Sequence, residues 1–149
     1  MSIQLEIQYA ADETVAPARQ QFFDWVAVIP NDKKNYFEVS LRIVDEAEMT
    51  ALNQAYRGKN KSTNVLAFPA DIPPGVEVNL LGDVVICLPE VQREAAEQMK
   101  PVEAHWAHLL IHGILHLQGY DHINSQDAER MEKKEIELLA ALGYPNPYE

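Results

Sequence analysis

Three of the chain's five histidines fall in one run, His112-Gly113-Ile114-Leu115-His116-Leu117-Gln118-Gly119-Tyr120-Asp121-His122. His112 and His116 are four apart, so on a helix their rings share a face, one turn apart, within reach of a single ion. Gly119 can take a left-handed conformation that stops the helix and returns His122 toward the other two. Three neutral imidazoles leave a fourth tetrahedral position for water, the open composition of catalytic zinc sites. A lone His pair at this spacing is more often surface or packed core. A third His beyond a glycine turn shifts the reading to a metal site. His108, four residues before His112, is a candidate substrate contact or outer-shell group, and equally a packed or capping residue. Asp121 could orient a ligand ring or simply cap the turn. Tyr120, beside the ligands, is a candidate contact for a base.

The spacing also fits the extended zinc-protease signature H-E-x-x-H-x-x-G-x-x-H. Gly113 stands where those proteases carry their general-base Glu, and no other carboxylate occupies residues 112–120. Peptide hydrolysis by that route is therefore disfavoured. The chemistry must be one in which a metal-bound hydroxide or a substrate group suffices.

A second feature is electrostatic. The chain has 149 residues, with 23 Asp and Glu against 12 Lys and Arg, a net charge of −11. Residues 49–70 nevertheless contain Arg57, Lys59 and Lys61 and no acid. That window is +3 and the remainder −14. A basic loop suits phosphate, which Arg engages bidentately. If the fold carries the loop to the histidines, Arg57 could stabilise charge on a pentacoordinate phosphate. The plainer alternative is a loop kept solvated by its charges.

The elements that must position these groups follow from periodicity. Ile3, Leu5, Ile7 and Tyr9 alternate with polar residues, as do Phe37, Val39, Leu41 and Ile43, giving two half-buried strands. Between them, Phe22, Phe23, Val26 and Ile29 predict a helix over 14–28 with Pro17 in its first turn, then a polar break over 31–35. Asp45 and Glu48 form a capping box before a helix whose buried stripe is Met49, Leu52 and Tyr56. A short strand over 63–68 is stopped by Pro69, and a turn follows at 71–75. The nearly continuous apolar run 80–88 predicts a central strand. Helices follow over 89–99, over 101–118 and from an Asn124 or Ser125 cap to Leu142, closed by Gly143. Trp25 and Trp106 lie in amphipathic helices and read as core. The pattern is one α+β domain spanning residues 1–149: about four strands in a mixed sheet, packed with about five helices. Strand order is not legible from it.

Composition excludes several classes. Apolar residues are 47% and charged residues 23%, too apolar for a disordered chain. Cys87 is the single cysteine, so a disulfide-stapled secreted domain is excluded and a reducing compartment favoured. The first residues lack a basic cluster and an apolar core, which argues against a secretory leader. No run of about 18 apolar residues exists to span a membrane. The acidic balance disfavours a generic basic nucleic-acid binder.

Three blocks carry a family resemblance. The histidine run resembles the H-G-x-L-H-L-x-G-Y-D-H signature of the YbeY-type bacterial rRNA maturation factors. Asn53-Gln54-Ala55-Tyr56-Arg57 followed by Thr63-Asn64-Val65-Leu66-Ala67-Phe68-Pro69 resembles the family's N-x-x-Y-R … T-D-V-L-S-F-P. Leu81-Gly82-Asp83-Val84-Val85-Ile86 resembles its L-G-D-I-x-I strand. The resemblance implies a single-strand-specific, metal-dependent endoribonuclease of the cytoplasm, acting in 16S rRNA 3′-end maturation and ribosome quality control. It implies the small ribosomal subunit and assembly factors as partners, with neither membrane nor DNA. By position, His112, His116 and His122 map onto the ligands of one Zn2+ per chain, or another divalent ion such as Ni2+. Arg57 maps onto the essential arginine, beside a metal-bound water. His108, Tyr120, Asp121, Lys59 and Lys61 remain candidates for second-shell or substrate contact. Asn64 and Ala67 depart from the usual Asp and Ser. Two rival functions stand beside this one: a metal-dependent peptidase, which Gly113 disfavours, and a non-catalytic ribosome-assembly factor with a structural metal.

Overall fold

The computed structural model describes residues 3–31, 37–76 and 78–149. In chain order the elements are β1 (Ile3–Tyr9), α1 (Arg19–Val26), β2 (Phe37–Val44), α2 (Glu46–Arg57), β3 (Val65–Pro69), β4 (Leu80–Cys87), α3 (Leu88–Glu97), α4 (Val102–Leu117) and α5 (Ser125–Ala141). The strands form one mixed sheet in the order β1-β2-β4-β3. β1 pairs parallel with β2 and β2 parallel with β4, while β3 runs antiparallel to β4 at the edge. This is the α+β architecture the periodicities predict, with β4 in the sheet interior.

Alternation sorts the strand residues into two cores. Ile3, Ile7, Val39, Leu41, Ile43, Val84 and Ile86 face the larger core, shared with α1, α4 and α5. Val44, Val85, Cys87 and Leu66 face the other way, onto Met49 of α2. Eleven of the sixteen residues of α4 are buried, Trp106 among them. A helix buried nearly all round belongs inside a domain, and α4 packs against the sheet, α1, α3 and α5. The close seat of α4 on the sheet depends on Gly113: a Cβ there would stand 2.8 Å from Cγ1 of Val84. Gly82 serves a similar close approach. Its φ is +154°, a Cβ would lie 2.4 Å from the Phe68 carbonyl oxygen, and the β2–β4 register shifts there, between Glu38 and Val39.

Several local expectations change. The helix expected over 14–28 begins only at Arg19, because Asp12 accepts bonds from the backbone and hydroxyl of Thr14 and turns the chain first. Phe23, expected on its buried face, is 40% exposed. Asp45 caps α2 by accepting from the Glu48 N–H at 2.9 Å, but the Glu48 carboxylate pairs with Arg42 instead of closing the box. Tyr56 is 67% exposed, and fully buried Asn53 takes the inner position, donating to the Lys61 carbonyl at 2.8 Å. Pro69 ends inside β3 rather than stopping it, which an edge strand tolerates. Of the polar break over 31–35, residues 32–35 lie outside the described residues. Among the described residues no helix is long and apolar enough to cross a membrane.

Candidate active site

α4 packs across β3 and β4, so its last turns run beside the edge strand. His112 and His116 there line a cleft of about 200 Å³ with Arg57, Val65, Leu66, Ala67, Gly113 and His122. His122 comes from the loop before α5, after Gly119 takes φ +104°. Its ring centroid lies 5.7 Å from that of His112 and 6.4 Å from that of His116. Arg57 is the last residue of α2, followed by left-handed Gly58. It reaches the cleft from a separate part of the chain, and among the described residues it makes no ion pair. A guanidinium carries five N–H donors in a fork that matches a carboxylate or phosphate.

The other candidates sit elsewhere. Lys59 and Lys61 are exposed on the following loop and do not line the cleft. Tyr120 and Asp121 line a neighbouring cavity with Gln118, Gly119, Asp127 and Arg130. The Asp121 carboxylate accepts from the backbone N–H of His122 at 2.7 Å, the turn-capping alternative. His108 does not line the cleft but a separate cavity, and bonds Glu135. Ala67 lines the cleft, whereas Asn64 donates to Glu94, whose Oε1 is 2.8 Å from His105 Nε2. Burial pushes the His105 ring down from its ordinary pKa, and the Glu94 bond opposes this only in part.

The residue missed in the sequence is Glu135. It is fully buried in α5, with Oε1 2.7 Å from His108 Nε2 and 3.2 Å from His112 Nδ1. The Tyr148 hydroxyl donates to its two oxygens at 3.1 and 3.0 Å. Burial alone would raise this carboxyl, but the bonds from His108 and His112 outweigh burial and hold it at about 2. Burial, with the Glu135 charge adding to it, pushes the Tyr148 phenol well above its ordinary value. A signal was present: Met131, Glu135, Leu138 and Leu139 form the buried stripe of α5, and a charged residue in an apolar stripe demands a partner. Nothing in the sequence flags Tyr148.

The donor chemistry fits a transition metal. The cleft holds three imidazoles, and the Nδ1 atom of His116 is buried without a hydrogen-bond partner. The rings are not drawn together, however: among the described residues no three His, Cys, Asp or Glu are arranged to hold an ion. His122 is exposed, so packing does not oppose its approach.

Comparison with known proteins decides the family. The sequence profile described as Endoribonuclease YbeY matches residues 4–143. The chain belongs to the YbeY endoribonuclease family. A similar solved structure is the solution structure of TM1509 from Thermotoga maritima, 25% identical, covering 94% of this chain and 91% of that one, with a TM-score of 0.53. The YbeY match spans every cleft residue and Glu135, and ends before Tyr148. It makes endoribonucleolytic cleavage the family's activity and speaks against the peptidase reading. Packing adds a physical reason: position 113 faces Val84 at contact distance, so a glutamate there would be driven into the sheet.

Proposed function

We propose that this protein is a single-strand-specific, metal-dependent endoribonuclease of the cytoplasm, working on the 16S rRNA precursor in 3′-end maturation and ribosome quality control. The observation that carries the reading is the convergence of Arg57, His112, His116 and His122, from three segments, on one cleft. His112, His116 and His122 would hold one Zn2+, with Ni2+ the alternative that three nitrogen donors also suit. Bound there, a divalent ion supplies Lewis-acid polarisation and acidifies water. Arg57 grips the non-bridging oxygens of the scissile phosphate in the fork geometry of a guanidinium and offsets the charge that grows on them at the transition state. Single-stranded RNA is the fitting form, since a duplex resists in-line alignment at phosphorus. Direct attack by water leaves a 5′-phosphate, whereas attack by the ribose 2′-OH leaves a 2′,3′-cyclic phosphate, and product analysis separates the two. The small ribosomal subunit and assembly factors supply the selectivity that an acidic chain lacks on free RNA.

The test is metal analysis of the purified protein beside cleavage of RNA oligonucleotides and unstructured peptides. Arg57→Ala is expected to fold and keep its metal while losing about 100- to 1,000-fold in RNA cleavage. Cleavage by Arg57→Ala at the parent rate would remove the assigned role of Arg57. Peptide cleavage without RNA cleavage would overturn the reading as a whole. Loss of fold on metal removal, with no preparation ever cutting RNA, would favour an assembly factor with a structural metal.

A further inference from the structure

We infer that Glu135, held by Tyr148 of the C-terminal segment, is a positioning residue that sets which nitrogen of His112 carries the proton and which is left for a ligand. The inference deepens the proposed metal-dependent reading and rests on it for its metal-affinity readout.

An ionised carboxylate only accepts hydrogen bonds. With Glu135 Oε1 3.2 Å from His112 Nδ1, the neutral ring must carry its proton on Nδ1. Its Nε2, on the other side of the ring, keeps the free lone pair. A free histidine side chain favours the opposite tautomer, so the protein has to impose this one. Ligand histidines are held by such partners, whose loss weakens metal binding. Asp121, the carboxylate that adjoins a cleft histidine in sequence, bonds backbone instead. Among the described residues, Glu135 is the carboxylate that bonds a cleft ring.

The arrangement exceeds what packing requires. Glu135 shares the buried face of α5 with Met131, Leu138 and Leu139, a costly position for a charge unless several donors meet it. Three donor groups do: His108 at 2.7 Å, His112 at 3.2 Å, and the Tyr148 hydroxyl at 3.0 Å. Tyr148 lies five residues beyond the family match, which ends at residue 143. Its hydroxyl nonetheless clamps both oxygens of the carboxylate.

The experiment has two arms. In the first, long-range nitrogen–carbon correlation NMR on histidine-labelled, metal-free protein reads the tautomer of each ring at pH 8. His112 is expected as the Nδ1–H form, and in Glu135→Gln that preference weakens. In the second, chelator competition reads zinc affinity. Glu135→Gln is expected to bind about 10- to 100-fold more weakly, and Tyr148→Phe several-fold more weakly, both with cooperative melting. If Glu135→Gln does not fold, the wild-type tautomer and Tyr148→Phe still decide. An Nε2–H tautomer at His112 in the metal-free wild type overturns the inference. So does wild-type zinc affinity in both variants. A wild type without zinc affinity overturns the metal reading instead, and the tautomer then decides this inference by itself.

Discussion

A Cβ at position 113 would stand 2.8 Å from Cγ1 and 3.1 Å from Cγ2 of Val84, which is fully buried. A β-branched side chain in a filled core cannot swing aside. Glycine to alanine in a helix interior ordinarily gains up to about 1 kcal/mol. Gly113→Ala is instead expected to lose about 1–3 kcal/mol through overpacking, seen as a lower urea midpoint at unchanged slope. A variant more stable than the parent would show that α4 is not seated this closely. His105 gives a residue-scale pH prediction. Burial lowers its pKa, the Glu94 bond opposes this, and His108 and Lys100 push it down further. With the folded value below the unfolded value of about 6.5, the unfolded chain takes up the proton first as pH falls. The stability this creates is full above about pH 6.5 and is lost on acidification below it. The urea midpoint is expected to drop between pH 7.5 and 5.5, and to drop less in His105→Asn.

At the scale of elements, α5 does two things for the cleft: it presents Glu135 to His112, and its N-terminus ends the loop that carries His122. Asn124 caps it, accepting from the Asp127 N–H at 2.9 Å. Asn124→Ala should cost about 1 kcal/mol and Asn124→Gly only a few tenths, measured by chemical denaturation. The sequence narrowed that cap to Asn124 or Ser125, since a cap needs only neighbouring residues, and the structure selects Asn124. The start of α1 was not, since the turn made by Asp12 and Thr14 competes with the helix through side-chain bonds that periodicity does not register. The inward position of Asn53 in place of Tyr56 escaped for a similar reason: its Nδ2 donates to the carbonyl of Lys61, on the loop beyond the helix.

At the scale of the molecule, the net charge of −11 is set against a cleft where Arg57 makes no ion pair among the described residues. Few phosphates can be neutralised, so binding of single-stranded RNA should weaken only gently with salt. One to three contacts give a log–log slope of about −0.7 to −2, and a much steeper slope would mean a second basic surface in contact with RNA. The proposed ion links the cleft to global stability. Zinc at about 100 times its dissociation constant adds about 2.7 kcal/mol, which for a domain this size raises the melting temperature by roughly 5–10 °C. Chelation should reverse the rise, and metal affinity should fall on acidification, because metal binding needs deprotonated ligands. A melting temperature indifferent to zinc and chelator would contradict a three-histidine site.

What the amino-acid sequence determined by itself is local: the alternation of β1 and β2, the apolar run of β4, the one-turn spacing of His112 and His116, the glycine turn before His122, and the cap at Asp45. Each depends on backbone geometry over a few residues, which residue types reveal directly. Only the tertiary structure decided that edge strand β3 lies beside α4, bringing Arg57 to the histidines while leaving Lys59 and Lys61 outside. It alone placed Glu135 and Tyr148 on the inner side of His112. Those joins follow from strand order and from which apolar faces bury one another across the chain, and neither leaves a mark on neighbouring residues.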